Sequence, residues 1–257
     1  HSHIIGLTLR VGRHVSGNAA MIADLLLNHP NSKDTMPPSI LFLGEPGSGK
    51  TTAIRDVTRV LADRNNVVII DTSNEIAGDG DLPHPCVGHA RRLMVPTPNA
   101  QASVMVECVQ NHTPHAMVLD EIGRKQEVDA TRSCKNRGVR FVASAHGDLR
   151  QLVNNPKLVG LLGGIQSVIL SDVEARKGPQ SNESAAIVKV KRERSEQPVF
   201  DVIVELSRNS FNQWRVITDV ATAVDATLNA KAFDYEQRTR DPTTGEMTVE
   251  LKKNDGH

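Results

Sequence analysis

The run Gly44-Glu45-Pro46-Gly47-Ser48-Gly49-Lys50-Thr51-Thr52 constrains this chain more than any other stretch. It follows a short apolar segment, Ser39–Leu43, and opens a segment of helical spacing that continues to about Asp63. A glycine-rich turn between a buried strand and a helix presents successive backbone N–H groups. The helix end adds roughly half a positive charge. Gly44-x-x-x-x-Gly49-Lys50-Thr51 is therefore a P-loop pattern in the setting its physics requires. Residues Gly44, Glu45, Pro46, Gly47, Ser48, Gly49 and Thr52 are expected to cradle phosphates. Lys50 is expected to reach the β- and γ-phosphates, and the Thr51 hydroxyl to ligate Mg²⁺.

The rest of the chain alternates strand and helix patterns. Strands are predicted at Val67–Asp71, Ala116–Asp120, Val139–Ser144 and Ile165–Leu170, and helices at Ala100–Asn111 and Val128–Arg137, the latter ending at Gly138. Such alternation implies an α/β fold: a mainly parallel sheet with helices on both faces. Residues 4–15 read as a strand or hairpin, and the following helix is expected to end near His29. Thr72–Pro98 reads as a long loop rich in Gly, Pro, His and Asp. After Ser171 the texture changes. Ala185–Val190 and Val199–Leu206 read as antiparallel strands around a charged turn, Trp214–Val220 as a further strand, and Ala221–Ala232 as a helix. The polar segment 234–257 reads as a hairpin or a tail. The expected organisation is a lead-in over 1–38, a core over 39–172, a small antiparallel β extension of the same domain over 173–233, and the polar end beyond it.

A second acidic motif, Met117-Val-Leu-Asp120-Glu121, ends a predicted strand. Beside a P-loop, Asp120 suits the carboxylate that holds magnesium through water, and Glu121 the general base that polarises an attacking water. Strand 67–71 falls between the two motifs, so a further strand is expected to separate theirs in the sheet, as in hydrolytic ATP motors with an added central strand. No Asn/Thr-Lys-x-Asp guanine-reading motif occurs, which favours ATP over GTP. His146, just past a strand in Ala143-Ser-Ala-His-Gly147, is placed to sense a γ-phosphate. Glu75, in Asp71-Thr-Ser-Asn-Glu75-Ile-Ala-Gly-Asp-Gly-Asp81, is expected to be a second water-positioning carboxylate at the sheet edge where α/β folds bind ligands. Arg91 and Arg92 are candidates for the arginine delivered to a γ-phosphate, with Arg124, Arg132 and Arg137 as rivals. His84, His89, His112 and His115 lack the partners of a metal framework. The basic run Lys189–Arg194 has no interleaved aromatics and reads as a solvated strand and turn.

Composition limits the function classes. The 257 residues carry 30 Lys+Arg and 30 Asp+Glu, so no global charge favours nucleic acid or anionic membrane. A 39% hydrophobic content supports a core, and 3% aromatics make that core aliphatic. Cys86, Cys108 and Cys134 are odd in number and widely spaced, which argues against a disulfide framework and for a reducing compartment. No run of about 18 apolar residues occurs. The beginning, His1-Ser2-His3, is expected of a trimmed or tagged chain and is compatible with a removed targeting segment.

Several segments resemble, in order, one family: Gly6-Leu-Thr-Leu-Arg-Val-Gly-Arg13, the P-loop, Asp71–Asp81, Ala90-Arg-Arg-Leu-Met-Val-Pro-Thr-Pro98, Asp120-Glu-Ile-Gly123, Ala145-His-Gly147 and Gly163-Gly-Ile-Gln-Ser167. They resemble the cyanobacterial and plastid P-loop ATPases akin to the stage III sporulation AA ATPase, itself similar to type II and type IV secretion ATPases. The resemblance spans about residues 4–220. It implies a RecA-like core of the added-strand kind, ATP or ADP with Mg²⁺, a homo-oligomeric ring of six, an unidentified protein partner, and the chloroplast in plants and algae, with the cytoplasm otherwise. It also implies roles for Lys50, Thr51, Asp120, Glu121, His146 and the Arg91-Arg92 pair. Many members carry a C-terminal single-strand nucleic-acid module with an Arg-x-x-x-His signature, and no such pattern lies beyond residue 220. The expected function is ATP hydrolysis by a ring-forming motor or switch. The alternatives are a nucleotide-gated scaffold with very slow turnover and, more weakly, a nucleic-acid remodeller.

Overall fold

The computed structural model describes residues 15–27, 36–169 and 190–254. A 3₁₀ turn, Asn18–Ile22, leads into α1 (Ala23–Leu27). Next come β1 (Ile40–Gly44), α2 (Lys50–Ala62), β2 (Val67–Asp71), β3 (Arg91–Met94), α3 (Gln101–His112), β4 (Ala116–Leu119), α4 (Lys125–Asn136), β5 (Arg140–His146) and α5 (Leu149–Val153). The remainder holds β6 (Ile165–Ile169), β7 (Val190–Arg194), β8 (Val202–Leu206), β9 (Gln213–Ile217), α6 (Val220–Leu228), β10 (Phe233–Arg240) and β11 (Met247–Asn254). The strand or hairpin expected over 4–15 lies, apart from Val15, outside the described residues, as do the expected helix end at His29 and residues 185–189.

Nine strands form one sheet in the order β11-β10-β9-β8-β1-β5-β4-β2-β3. From β8 to β3 every pairing is parallel, whereas β8–β9, β9–β10 and β10–β11 are antiparallel. A strand does separate the two motif strands, and it is β5. This is the added-strand, RecA-like arrangement. The interior strands are buried on both faces, as parallel strands sandwiched by helices must be. Their side chains alternate with period two: Leu41, Leu43, Val68, Ile70, Met117 and Leu119 enter one core, and Ile40, Phe42, Val67, Ile69 and Val118 enter the other. Cys86, Cys108 and Cys134 are buried free thiols, and burial pushes Cys108 up to about 11.

Three expectations are corrected. Ile165–Ile169 is no interior strand: β6 pairs antiparallel with β7 in a separate two-stranded sheet, and Ile169 is 79% exposed. The strand beside β1 is β8, whose Val-Ile-Val-Glu-Leu run is almost wholly buried and parallel to it, rather than antiparallel to residues 185–190. Arg91–Met94 is no loop but edge strand β3. Its charged, half-solvated side chains carry no apolar alternation to betray it. Helix α4 also begins three residues earlier than its apolar pattern. The Glu127 carboxylate accepts from the Gly123 and Arg124 amides at 2.8 and 2.9 Å, completing a start that Val128 alone does not mark.

The polar end forms hairpin β10–β11, and Arg238 ties it to the lead-in. That guanidinium is 2% exposed and donates to Met21 O, both Asp24 oxygens and Glu236. Its acidic partners retain access to water, so truncation strands no buried charge. Arg238→Ala should lower stability by about 2–3 kcal/mol, the loss of several charge-assisted bonds. Chemical denaturation would measure this, and an unchanged midpoint would remove Arg238 as the anchor.

Candidate nucleotide site at the carboxyl edge of the sheet

Parallel pairing brings the ends of β1, β5, β4 and β2 to one edge, with Gly44 level with His146. The Gly44–Thr52 loop needs glycine there for two different reasons. A Cβ at Gly44 would stand 2.6 Å from Leu206 O and 2.5 Å from Ser48 Oγ, closer than atoms pack. Gly49 caps α2 with φ of 93°, a left-handed conformation that L side chains resist. Ser48 Oγ is buried with no hydrogen-bond partner, a polar atom left waiting inside the loop. Glu45, Pro46 and Gly47 form the exposed tip, and Thr51 and Thr52 lie half-buried in the first turn of α2.

Lys50 folds back over this loop. Its ammonium donates to Gly44 O at 2.8 Å and Glu45 O at 2.9 Å, and lies 3.5 Å from His146 Nδ1. Burial pulls its pKa below the ordinary lysine value, and the Glu121 and Asp120 carboxylates push it back up. His146 Nε2 is 3.2 Å from Glu121 Oε2. An imidazole that accepts at Nδ1 from an ammonium carries its proton on Nε2 and donates to the carboxylate. Lys50, His146 and Glu121 thus form one polar chain across the ends of β1, β5 and β4.

Asp120 lies just past β4 and accepts from the Ser73 hydroxyl, while the Ser144 hydroxyl donates to its backbone carbonyl. Burial raises its pKa to about 6. The Ser73 bond opposes the rise, and the charges of Glu75, Asp71 and Glu121 add to it. Asp71 is buried and also raised by burial, although amides of the Asn74–Ala77 turn lower it and Ala77 N donates to it at 2.8 Å. Asp71, Glu75 and Glu121 thus all bear on Asp120, and Glu121 and Asp120 on Lys50, but no group of three or more His, Cys, Asp or Glu side chains among the described residues is arranged to hold a metal ion by itself.

The raised Asp120 value carries a sign. The native state binds that proton more tightly than the unfolded chain, so stability falls as pH rises from about 4 through about 6. Asp120→Asn should therefore raise the melting temperature by several degrees at pH 8 in EDTA, about 2–3 kcal/mol, and by almost nothing near pH 4. Scanning fluorimetry at both pH values tests this; equal shifts would mean that the carboxylate is not under electrostatic load.

The arginines fall elsewhere. Arg91 is pinned by Asn66 Oδ1 and His112 O at the opposite, amino edge of the sheet. Arg92 reaches Gly78 O and Gly80 O and braces the acidic loop. Arg124 holds Pro98 O and Asn99, Arg132 pairs with Glu196, and Arg137 caps the end of α4. Two supports escaped the sequence reading. Buried Gln101 joins Thr72 to the Glu121 carbonyl, and Arg55 holds the Glu75 and Ile76 carbonyls. Only a polar residue opening α3 and an arginine five residues past Lys50 could have signalled them.

The sequence model of the family described as "Sporulation stage III, protein AA" matches residues 2–179. The chain is 47% identical over 229 residues to "Uncharacterized protein ycf45" of Porphyra purpurea, covering 88% of this chain and 37% of that protein. It is 45% identical over 238 residues to "Protein SEEDLING PLASTID DEVELOPMENT 1" of Arabidopsis thaliana, covering 91% of this chain and 32% of that protein. It thus spans about a third of the length of these two curated relatives. Among solved structures, the VirB11 ATPase of the Brucella suis type IV secretion system is similar with a TM-score of 0.42 and 15% identity, over 80% of this chain and 56% of that one.

Proposed function

This chain belongs to the sporulation stage III protein AA family, and from that premise we propose that it binds ATP with Mg²⁺ at the Gly44–Thr52 loop and hydrolyses it to ADP and phosphate. The observation that carries the reading is the continuous chain Lys50–His146–Glu121, set beside Asp120 at one sheet edge. Gly44 through Thr52 would wrap the phosphates, with Lys50 exchanging its loop carbonyls for phosphate oxygens. Thr51 and Asp120 would hold the cation, which neutralises charge on the β- and γ-oxygens. Glu121 would take the proton of the attacking water, Glu75 would help to orient that water, and His146 would report the γ-phosphate to Glu121.

Since Arg91 and Arg92 are held away from the loop within their own chain, an arginine supplied by a neighbouring copy suits a ring-forming motor or switch, six copies being the number proposed. The same observation favours a second reading, a nucleotide-gated scaffold whose unassisted turnover stays near 10⁻³ per second or below, roughly the range of switch proteins. We place the chain in the chloroplast when its source is a plant or alga, with a protein partner, a reading supported by the plastid named in the Arabidopsis relative. No helix among the described residues is long and apolar enough to cross a membrane. Phosphate release, measured alongside solution mass with and without a non-hydrolysable ATP analogue, tests the proposal. Nucleotide-dependent assembly with turnover supports the motor, and binding with neither supports the scaffold.

A further inference from the structure

Aromatic side chains are scarce here: five Phe, one Trp and one Tyr. All but one are buried or half-buried, and the exception, Phe211, is 59% exposed. Phe211 sits in the turn Ser207–Asn212 between β8 and β9. Because β8 runs parallel to β1 with Leu206 level with Gly44, this turn lies at the same sheet edge. It flanks the phosphate loop on the side away from β5 and β4.

The turn touches the loop at two glycines. Phe211 Cδ1 lies 3.6 Å from where a Cβ at Gly49 would stand, and Arg208 Nε lies 3.5 Å from the equivalent point at Gly47. Arg208 makes no hydrogen bond or ion pair among the described residues. The turn itself is firmly built. Trp214 is buried edge-on against Phe42 of β1, with ring centroids 5.9 Å apart, and its indole N–H donates to Phe211 O at 3.2 Å. Ser210 N to Ser207 O and Gln213 N to Ser210 O close it. The strand that leads into the phosphate loop thus also fixes the exposed ring.

We propose that Phe211 is the stacking platform for the base of the bound nucleotide and that Arg208 is a second cation on its phosphates. The proposal rests on the nucleotide reading above and deepens it. Glu121 and His146, which would face the terminal phosphate, lie on the β4 and β5 flank. A triphosphate that runs from there across the loop carries its nucleoside out on the β8 flank, where an aromatic face and an unpaired guanidinium stand. A base on one ring is held by its π-face, which every base possesses, so this platform adds affinity with little choice among bases.

Calorimetric titration of the full chain with Mg-ATP, Mg-GTP and Mg-tripolyphosphate tests this on wild type, Phe211→Ala, Phe211→Trp and Arg208→Ala. Phe211→Ala should weaken both nucleotides roughly 5- to 100-fold, leave tripolyphosphate unchanged, and be restored by Phe211→Trp. Arg208→Ala should weaken nucleotide and tripolyphosphate alike. Equal affinity of the wild type for ATP and tripolyphosphate, or a Phe211→Ala variant that alters solution mass and not nucleotide affinity, overturns the base platform and leaves the phosphate site standing. If Arg208→Ala leaves tripolyphosphate affinity unchanged, the second cation is overturned. If folded wild type binds none of the three ligands, the nucleotide reading itself falls, and this inference with it.

Discussion

Lys50→Ala is expected to raise the dissociation constant for Mg-ATP by roughly a hundredfold or more. The Lys50 ammonium donates to two carbonyls of the Gly44–Thr52 loop itself, Gly44 O and Glu45 O. Those carbonyls hold it against the loop that would surround the phosphates. Removing it deletes at least one charge-assisted contact, each worth about 1.5–3 kcal/mol, and leaves Glu121 and Asp120, whose charges it faces, to repel a polyanion. Lys50→Arg should not rescue, since a planar fork cannot take the place of a compact ammonium between two close carbonyls. The fold should survive, because Ala53, Ile54, Val57 and Leu61 hold α2 on the sheet without Lys50. Calorimetry decides the matter: a folded variant that binds Mg-ATP as tightly as wild type would remove Lys50 from the site.

Glu121→Gln is expected to separate binding from turnover. The amide keeps the shape of the carboxylate and an oxygen to accept from His146 Nε2, 3.2 Å away in the native chain. It cannot take a proton from water. ATP affinity should stay within a few fold while phosphate release falls roughly 10²- to 10⁴-fold, the range of a lost general base. One negative charge also leaves a crowded cluster, so affinity for the nucleotide should rise slightly if it moves at all. Wild-type turnover by Glu121→Gln would transfer the base role, with Glu75 as the next carboxylate to test.

Much of the architecture was legible because its signals are local. Interior strands such as Val67–Asp71 are continuous apolar runs, and a parallel sheet leaves such runs no other use. The strand–turn–helix setting of Gly44–Thr52 was legible because an apolar run, a glycine-rich stretch and a helical spacing follow one another directly. The errors share one cause, the absence of a local signal for pairing. An edge strand like Arg91–Met94 is polar because half of it faces water. Val202–Leu206 has the same composition whether it pairs with residues 185–190 or with β1. The supporting contacts of Gln101 and Arg55 depend on side chains converging from elements far apart in the chain.

The amino-acid sequence alone determined the glycine-rich turn between β1 and α2, the acidic pair at the end of Ala116–Leu119, and the parallel strand-and-helix plan, since each follows from residues within a few positions of one another. Tertiary structure alone decided that the strand between the two motif strands is β5, that His146 links Lys50 to Glu121, that Arg91 faces the far edge, and that Phe211 lies against the loop. The physical reason is strand order: which side chains share an edge is set by how buried surfaces stack across the sheet, a choice made by the whole core and written in no single segment.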